Sequence, residues 1–304
     1  MSEQVIGERP QTLDAERTDY GRPGRARWMP FDRWHLILFP LMLVVLFPIS
    51  WMVLTSLQTL AETQRFPPTL VPRDIQWGNY LRALEVAPFG HYFLNTSVVT
   101  VTVVLSNLVL CSLAGYAFAR IRFAGREVLF VLLMATLMVP HQVTIIPTFL
   151  IVKWLGDSLY AGLGVDHLGS LIAPNLVTVF GIFMLRQFFR TLPVELEEAA
   201  RIDGASRLGV VFKIVLPLSA PALATLAAIM FLWTWNDFLW PLVVINSPES
   251  WTLQLGLANF QGAHQTRWHL LMAGNVMSMI PMVVVFFAAQ RYFIRSVATT
   301  GLKG

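Results

Sequence analysis

Six stretches of this 304-residue chain contain no Asp, Glu, Lys or Arg: 34–61, 86–119, 128–152, 167–185, 214–236 and 268–290. A helix rises 1.5 Å per residue, so roughly 20 apolar residues cross a hydrocarbon core about 30 Å thick. Every stretch is close to that length or beyond it. Composition points the same way: 55% of residues are hydrophobic, 13% are charged and the mean hydropathy is +0.59, far too apolar for the surface of a soluble domain. Inside lipid each backbone N–H and C=O needs an internal partner, which leaves helices or a closed barrel. Barrel strands would alternate in polarity over about ten residues, whereas 36–53 and 281–289 are apolar on every face. The expected fold is therefore an all-α membrane protein with six transmembrane helices, at about 35–57, 91–119, 128–152, 168–189, 216–245 and 270–292. A polar tail at 1–33, a membrane domain at 34–295 and a short tail at 296–304 complete the division.

The distribution of the 22 Lys and Arg residues sets an orientation. Seventeen fall on one side: six before the first span, three between spans 2 and 3, five between spans 4 and 5, and three at or beyond the end of span 6. The other side receives Arg65, Arg73, Arg82, Lys153 and Arg267. Positive charge is retained on the cytoplasmic face, so both termini are expected there. Trp34, Trp154, Trp240 and Trp268 lie near the ends of the predicted spans, where an amphipathic ring suits the headgroup layer. The first 33 residues, with six acidic and six basic side chains, are too polar for the leading region of a signal peptide, so the first span is expected to stay as an anchor. Lone Cys111 excludes an intrachain disulfide and reads as a small packing residue. The basic residues are dispersed over loop ends rather than gathered on one face, which argues against nucleic acid as a partner. His141, His167, His264 and His269 lack zinc-ligand spacing with Cys or carboxylates, and no metal is expected.

Between 191 and 221 the apolar chain gives way to a polar interlude, TLPVELEEAARIDGASRLGVVFKIVLPLSAP. Pro193 suits a first helical position, and Glu195, Glu197 and Glu198 favour the positive end of a helix dipole. Gly204 fits the left-handed position past a helix end near Asp203, Ser206 can cap a second helix, and Pro217 ends or kinks it. The expected product is a helical hairpin on the membrane surface. Its Ala199, Ala200, Ile202, Ala205, Val210, Val211 and Ile214 would form a ridge able to seat in a partner's groove; the competing reading is an amphipathic loop lying at the interface.

The string Glu198-Ala199-Ala200, three residues, Gly204, nine residues, then Ile214-Val215-Leu216-Pro217 resembles the EAA loop of ATP-binding-cassette (ABC) importer permeases. EAARIDGAS at 198–206, WNDF at 235–238 followed by Trp240-Pro241-Leu242, the 95–120 stretch, Pro140 with Pro147, and the closing TGLKG resemble more particularly the carbohydrate permeases of the maltose-transporter type. The resemblance covers nearly all of the chain after residue 34. It implies a permease subunit in a bacterial inner membrane that pairs with a second homologous permease, two copies of an ABC ATPase subunit and an extracytoplasmic solute-binding protein. It further implies a cytoplasmic EAA hairpin between spans 4 and 5 that docks on the ATPase through Glu198, Ala199, Ala200, Asp203, Gly204, Ala205, Ile214, Leu216 and Pro217. The tail Gly301, Leu302, Lys303 and Gly304 resembles one that reaches between the two ATPases; a frayed terminus is the competing reading. No cofactor is expected on this chain, ATP-Mg belonging to the partner; a GxxxxGK[ST] phosphate loop is absent from the sequence.

The solute path is less legible. Asp237 stands alone in an apolar stretch, about 35 Å along a helix that starts near 214. Two readings remain: a cap at a helix end, shared with Asn236, or a contact with solute alongside Trp233, Trp235 and Trp240. Pro140 and Pro147 should break or kink the third span, with His141, Gln142 and Thr144 offering polar groups there. The loops 56–90 and 246–268 would face outward and could receive the binding protein. The functional expectation is a permease that moves a sugar, polyol or oligosaccharide inward. The alternatives are a permease for a non-sugar solute, a secondary transporter, and a membrane enzyme using Glu197 or Glu198; no repeat halves or catalytic constellation support the last two.

Overall fold

The computed structural model describes residues 34–258, 260 and 266–300, with side chains described to Arg291. Tails 1–33 and 301–304, and with them the expected ATPase-contacting residues 301–304, lie outside the described residues, as does His264. The chain divides into two units, Met1–Pro48 and Ile49–Gly304. Within the first, the described residues after Trp34 belong to helix α1 (His35–Ser56), which runs on past the boundary and holds Pro40 and Pro48 inside it. Its side chains from Leu36 to Phe47 are exposed, as expected of a helix whose solvent is lipid.

The second unit is entirely helical in its regular elements, with no strand among the described residues. Short helices α2 (Leu60–Thr63) and α3 (Gly78–Val86) lead to α4 (Phe89–Arg120), the long helix at its centre. Then come α5 (Arg126–Thr136), α6 (His141–Ser158), α7 (Leu168–Ile172) and α8 (Val179–Thr191). Helices α9 (Glu195–Ile202), α10 (Arg207–Val210) and α11 (Leu216–Leu218) make up the polar interlude. Helices α12 (Ala220–Trp235), α13 (Leu239–Val244), α14 (Leu253–Ala258) and α15 (Trp268–Thr300) close the unit.

Polar residues along α4 explain why it is central. Thr96, Thr100, Asn107 and Cys111 fall at near-helical spacing, share one stripe and are buried, and Tyr116 is buried on another face further along. Asn107 Nδ2 donates to the Asn175 carbonyl (2.7 Å) and its Oδ1 accepts from Thr178 Oγ1 (2.8 Å). Small residues bring α8 close: a Cβ at Gly181 would lie 2.8 Å from Cys111 Sγ, and one at Gly115 would lie 3.1 Å from the Arg186 nitrogen. Cys111, Leu185, Phe189, Leu226 and Met230 then form one core between α4, α8 and α12.

Four helical segments are long and apolar enough to cross a membrane alone: His35–Ser56, Phe89–Arg120, Leu168–Thr191 and Trp268–Arg291. Two bent pairs bring the number to as many as six. Where a continuous helix was expected over 128–152, α5 and α6 meet at 104° across residues 137–140. Pro140 accounts for the break, because its ring disfavours the helical conformation at Val139 and removes a backbone donor; Pro147, also expected to disturb this span, is accommodated inside α6. The 216–245 segment is divided as well. Helices Arg207–Leu218 and Ala220–Trp235 are bent by 80°, and α12 ends at Trp235 before α13 begins. Trp240, expected at the headgroup layer, is instead 2% exposed, with Nε1 donating to the Ser170 carbonyl at 3.0 Å.

At the end of the unit opposite the interlude, Asp166 clasps a distant loop. Held at φ 69°, it donates its N–H to the Val244 carbonyl (2.8 Å), and Oδ1 accepts from the N–H groups of Asn246 (2.8 Å) and Ser247 (2.7 Å). The Ser247 hydroxyl bonds Oδ2, and Ser250 Oγ donates to the Asp166 carbonyl at 3.0 Å. Burial alone would raise the Asp166 pKa, but the Ser247 side-chain bond and the two backbone bonds outweigh it and hold the carboxyl below its ordinary value. A carboxyl lowered on folding stabilises the fold fully above its unfolded pKa of about 3.9, and that contribution disappears as pH falls through the folded value. Asp166→Asn is expected to cost about 2 kcal/mol. Thermal unfolding in detergent should show the variant less stable at pH 7 and the gap to the unaltered chain closing toward pH 3.

Candidate functional site

The polar interlude folds as two short helices around a tight turn. Pro193, expected as a first helical residue, lies ahead of the helix: Leu192 before it is extended and α9 starts at Glu195. The turn after α9 carries paired reversing hydrogen bonds, Ala205 N–H to the Ala200 carbonyl (2.9 Å) and Gly204 N–H to the Arg201 carbonyl (3.1 Å). This arrangement needs a left-handed residue, and Gly204 has φ +87°. Ser206 Oγ accepts from Gly209 N–H (3.1 Å), capping α10. A wider helical turn over Val211–Val215 leads into Pro217.

The three glutamates that open α9 have different roles. Glu195 and Glu198 are exposed, but Glu197 is only 6% exposed and turns inward. Its carboxylate accepts from Tyr116 Oη (2.9 Å) and Arg120 Nε (2.8 Å), while Arg120 Nη2 donates to the Leu192 carbonyl (2.6 Å). One guanidinium thus joins the end of α4, the end of α8 and the start of α9. Sequence reasoning treated Glu197 as a surface charge or an enzymatic acid; with both partners engaged, it is an anchor. The available signal was Tyr116 and Arg120 at i and i+4, facing one way at the end of a charge-free stretch.

The expected apolar ridge also divides. Val210 and Val211 are buried against Phe189, Leu185 and Tyr116, with Ala200, Ala205 and Leu216 packed on that core, and Ile214 is half-buried. The outward surface comprises Glu198, Ala199, Asp203, Gly204 and Pro217. Around them stand Ile202 at 86% exposure and the exposed Leu208 and Phe212, two apolar residues the sequence reading did not single out. Arg186, placed between spans when the basic residues were counted, is buried within α8. It reaches Glu127 Oε2 at 3.3 Å and the Phe118 carbonyl at 3.3 Å, with its guanidinium carbon 3.8 Å from the Phe130 ring centroid.

A second feature is a cavity of about 220 Å³ among α4, the start of α6, α7, α12 and α13. Asp237, Trp233, Thr234, His141, Thr96 and Thr252 line it, with Asn175, Thr178 and apolar Val99, Val103, Leu171, Met230 and Pro241. Asp237 sits in the gap between α12 and α13, its Oδ1 accepting a long bond (3.4 Å) from Trp240 N–H. Trp235, Gln142 and Asn236, also expected on the solute path, do not line the cavity. Trp235 is a core residue whose Nε1 donates to the Ser278 carbonyl (3.1 Å), and Gln142 is exposed on α6. Asn236 ties helices together, donating to the Leu232 carbonyl (2.8 Å), contacting Met282 Sδ (3.1 Å) and accepting from Gln254 Nε2 (3.4 Å). Among the described residues no cluster of three or more His, Cys, Asp or Glu could hold a metal ion.

Residues 108–299, which include the interlude and most of the cavity lining, match the family of binding-protein-dependent transport system inner membrane components. The chain belongs to this family. The permease is 35% identical over 265 residues to an arabinooligosaccharides transport system permease protein, AraQ, of Halalkalibacterium halodurans, covering 86% of this chain and 92% of that protein. It is 34% identical over 270 residues to the sn-glycerol-3-phosphate transport system permease protein UgpE of Pectobacterium atrosepticum, covering 86% and 93%. It is 37% identical over 228 residues to the osmoprotective compounds uptake permease protein GgtD of Synechocystis, covering 74% of each. Among solved structures, a bacterial ABC transporter involved in the import of the acidic polysaccharide alginate aligns with a TM-score of 0.75 and 27% identity, over 87% of this chain and 100% of that one.

Removing Glu197 from the permease would strand Arg120 with its charge unanswered at a largely buried site. Glu197→Ala is expected to destabilise by about 3 kcal/mol or more, whereas Glu198→Ala, at an exposed position, should stay within about 0.5 kcal/mol. Melting temperatures of the two variants in one detergent compare them directly.

Proposed function

We propose that this permease is one half of the membrane path of an ATP-driven importer for a sugar or a related polyol or oligosaccharide in a bacterial inner membrane. A second homologous permease completes the path, and an extracytoplasmic binding protein delivers the solute. The chain is not itself an enzyme; ATP-Mg is held by two copies of a separate ATPase subunit. Six spans follow in this reading, with α5 and α6 together as the third and the segment 216–245 as the fifth, and both tails, 1–33 and 296–304, lie in the cytoplasm. The α9–α11 hairpin then lies in the cytoplasm between spans 4 and 5 and seats on the ATPase through Glu198, Ala199, Ala200, Asp203, Gly204, Ala205, Ile214, Leu216 and Pro217. Residues 301–304 would extend toward the same subunits.

The observation that carries this reading is the pairing of an outward-facing turn with an inward-facing anchor. A turn that merely lay on the membrane would not need Glu197 clamped between Tyr116 and Arg120. One that must convey force does, because nucleotide-driven closure of the ATPases can rock α4 and α8 only through a stiff connection. The sugar reading draws on AraQ, whose name specifies arabinooligosaccharides, and on the alginate transporter. A non-sugar solute is the second reading, supported by the nearly equal identity to UgpE.

Purification of the tagged chain from native membranes in mild detergent, with mass spectrometry of its companions, should recover an ATPase, a second permease and a solute-binding protein. A chain that purifies alone, with uptake insensitive to ATP depletion, would overturn the reading. Gly204→Val forces a β-branched residue into the left-handed region, at a local cost of about 1–2 kcal/mol. ATP-driven uptake by membranes carrying Gly204→Val or Glu198→Arg should fall at least about tenfold while the chain remains inserted, as a lost interfacial hot spot would produce.

A further inference from the structure

The cavity beside Asp237 has a specific chemical character. Its lining includes Thr96, Thr234 and Thr252, the indole of Trp233, one carboxylate and one imidazole, and among the described residues no Lys or Arg lines it. Thr252 is 5% exposed, and among the described residues its Oγ1 has no hydrogen-bond partner, so an unpaired donor and acceptor belongs to a residue of the cavity wall. An orphaned hydroxyl of this kind costs free energy unless something in the cavity completes it.

The charges define what that occupant can be. Helix α6 begins at the α5–α6 break with His141 in its first turn, and a helix start carries roughly half a positive charge. Broken membrane helices commonly present such ends to anionic groups of a solute. Here Asp237 lines the same cavity as His141, so the positive end is already answered by a carboxylate fixed to the protein. A second anion would meet that carboxylate with no Lys or Arg among the described lining residues to offset it. A hydroxyl-rich neutral molecule instead donates to Asp237, exchanges hydrogen bonds with Thr252 and lays an apolar ring face on Trp233.

We propose that this cavity is a solute subsite for one ring of a neutral sugar, or for a polyol of similar size, and that Asp237 makes it refuse phosphorylated and uronate solutes. Its volume of about 220 Å³ is below the roughly 300–1,000 Å³ of pockets that enclose drug-sized ligands, so an oligosaccharide passes through it ring by ring. The assignment rests on the importer reading above and narrows it, separating this permease from relatives named for sn-glycerol-3-phosphate.

The test uses the whole importer, reconstituted in proteoliposomes with binding protein in excess. Five radiolabelled probes are offered with ATP: arabinotriose, maltotriose and glucosylglycerol as neutral solutes, sn-glycerol-3-phosphate and a mannuronate trisaccharide as anions. At least one neutral probe should accumulate and neither anion should. With that neutral probe, Asp237→Asn should raise the half-saturating concentration at least about tenfold, the scale of losing a charge-assisted hydrogen bond. Thr252→Val should raise it severalfold while the complex melts no earlier, because the hydroxyl removed has no partner among the described residues. If Asp237→Asn fails to assemble, the Thr252→Val result decides. Accumulation of either anion by the unaltered importer, or unchanged half-saturation in the assembled variants, overturns the subsite and leaves the importer standing. ATP-driven accumulation of none of the five also overturns the subsite, whereas the importer itself falls only if the chain purifies alone and its uptake is insensitive to ATP depletion.

Discussion

The carboxylate of Glu197 ties the polar interlude to the helix core by hydrogen bonds, beside the apolar packing of Val210 and Val211. Tyr116 and Arg120 hold it at 2.9 and 2.8 Å, and Arg120 grips the Leu192 carbonyl with its other arm. A charged pair this far from water is expensive to assemble, so it says little about net stability. What it supplies is geometry. A bond from the interlude to the tip of α4 makes the two move together, and the 32 residues of α4 extend from that bond to the cavity lined by Thr96 and Val99. At 1.5 Å per residue, 24 residues separate Arg120 from Thr96 by about 36 Å of nearly incompressible helix.

The helix breaks serve the other end of that lever. A lipid-facing break would leave backbone groups unpaired, so interruptions at membrane depth are tolerated where they are buried or line a cavity. The α5–α6 and α12–α13 breaks place His141 and Asp237 on one cavity, while Trp235 and Trp240 beside the second break are fixed by hydrogen bonds to Ser278 and Ser170. Rigid aromatic neighbours let the irregular backbone keep one shape.

Much of this was legible in the residues. The charge-free stretches gave the helical membrane class, and Glu198 through Pro217 gave the family, because a Gly at a left-handed turn and a Ser at a cap are local requirements that leave local signatures. What escaped depended on which way a helix face turns. Glu195, Glu197 and Glu198 look equivalent in sequence; only packing against α4 selects Glu197 for burial. Val210 and Val211 were assigned outward and lie inward for the same reason, and Leu208 and Phe212 were overlooked. Pro140 announced a disturbance in the third span, but not that it would amount to a 104° bend. The partners of Trp235 and Trp240 are 43 and 70 residues away, beyond the reach of any local pattern.

The sequence separations of these contacts also impose an order on biosynthesis. Glu197 lies 77 and 81 residues after its partners, so the hairpin junction can close once α9 has been made. The clasp around Asp166 must wait for residues 246–247, and Asn95 meets the carbonyls of Glu249 and Trp251 only after another 154 and 156 residues have followed it. A nascent chain stopped near residue 240 would therefore carry a finished hairpin junction and an unclosed opposite rim, with the buried face of Asn95 still open. During synthesis the two ends of the permease mature at different times, and the loop end is the one that insertion factors and proteases meet unfinished.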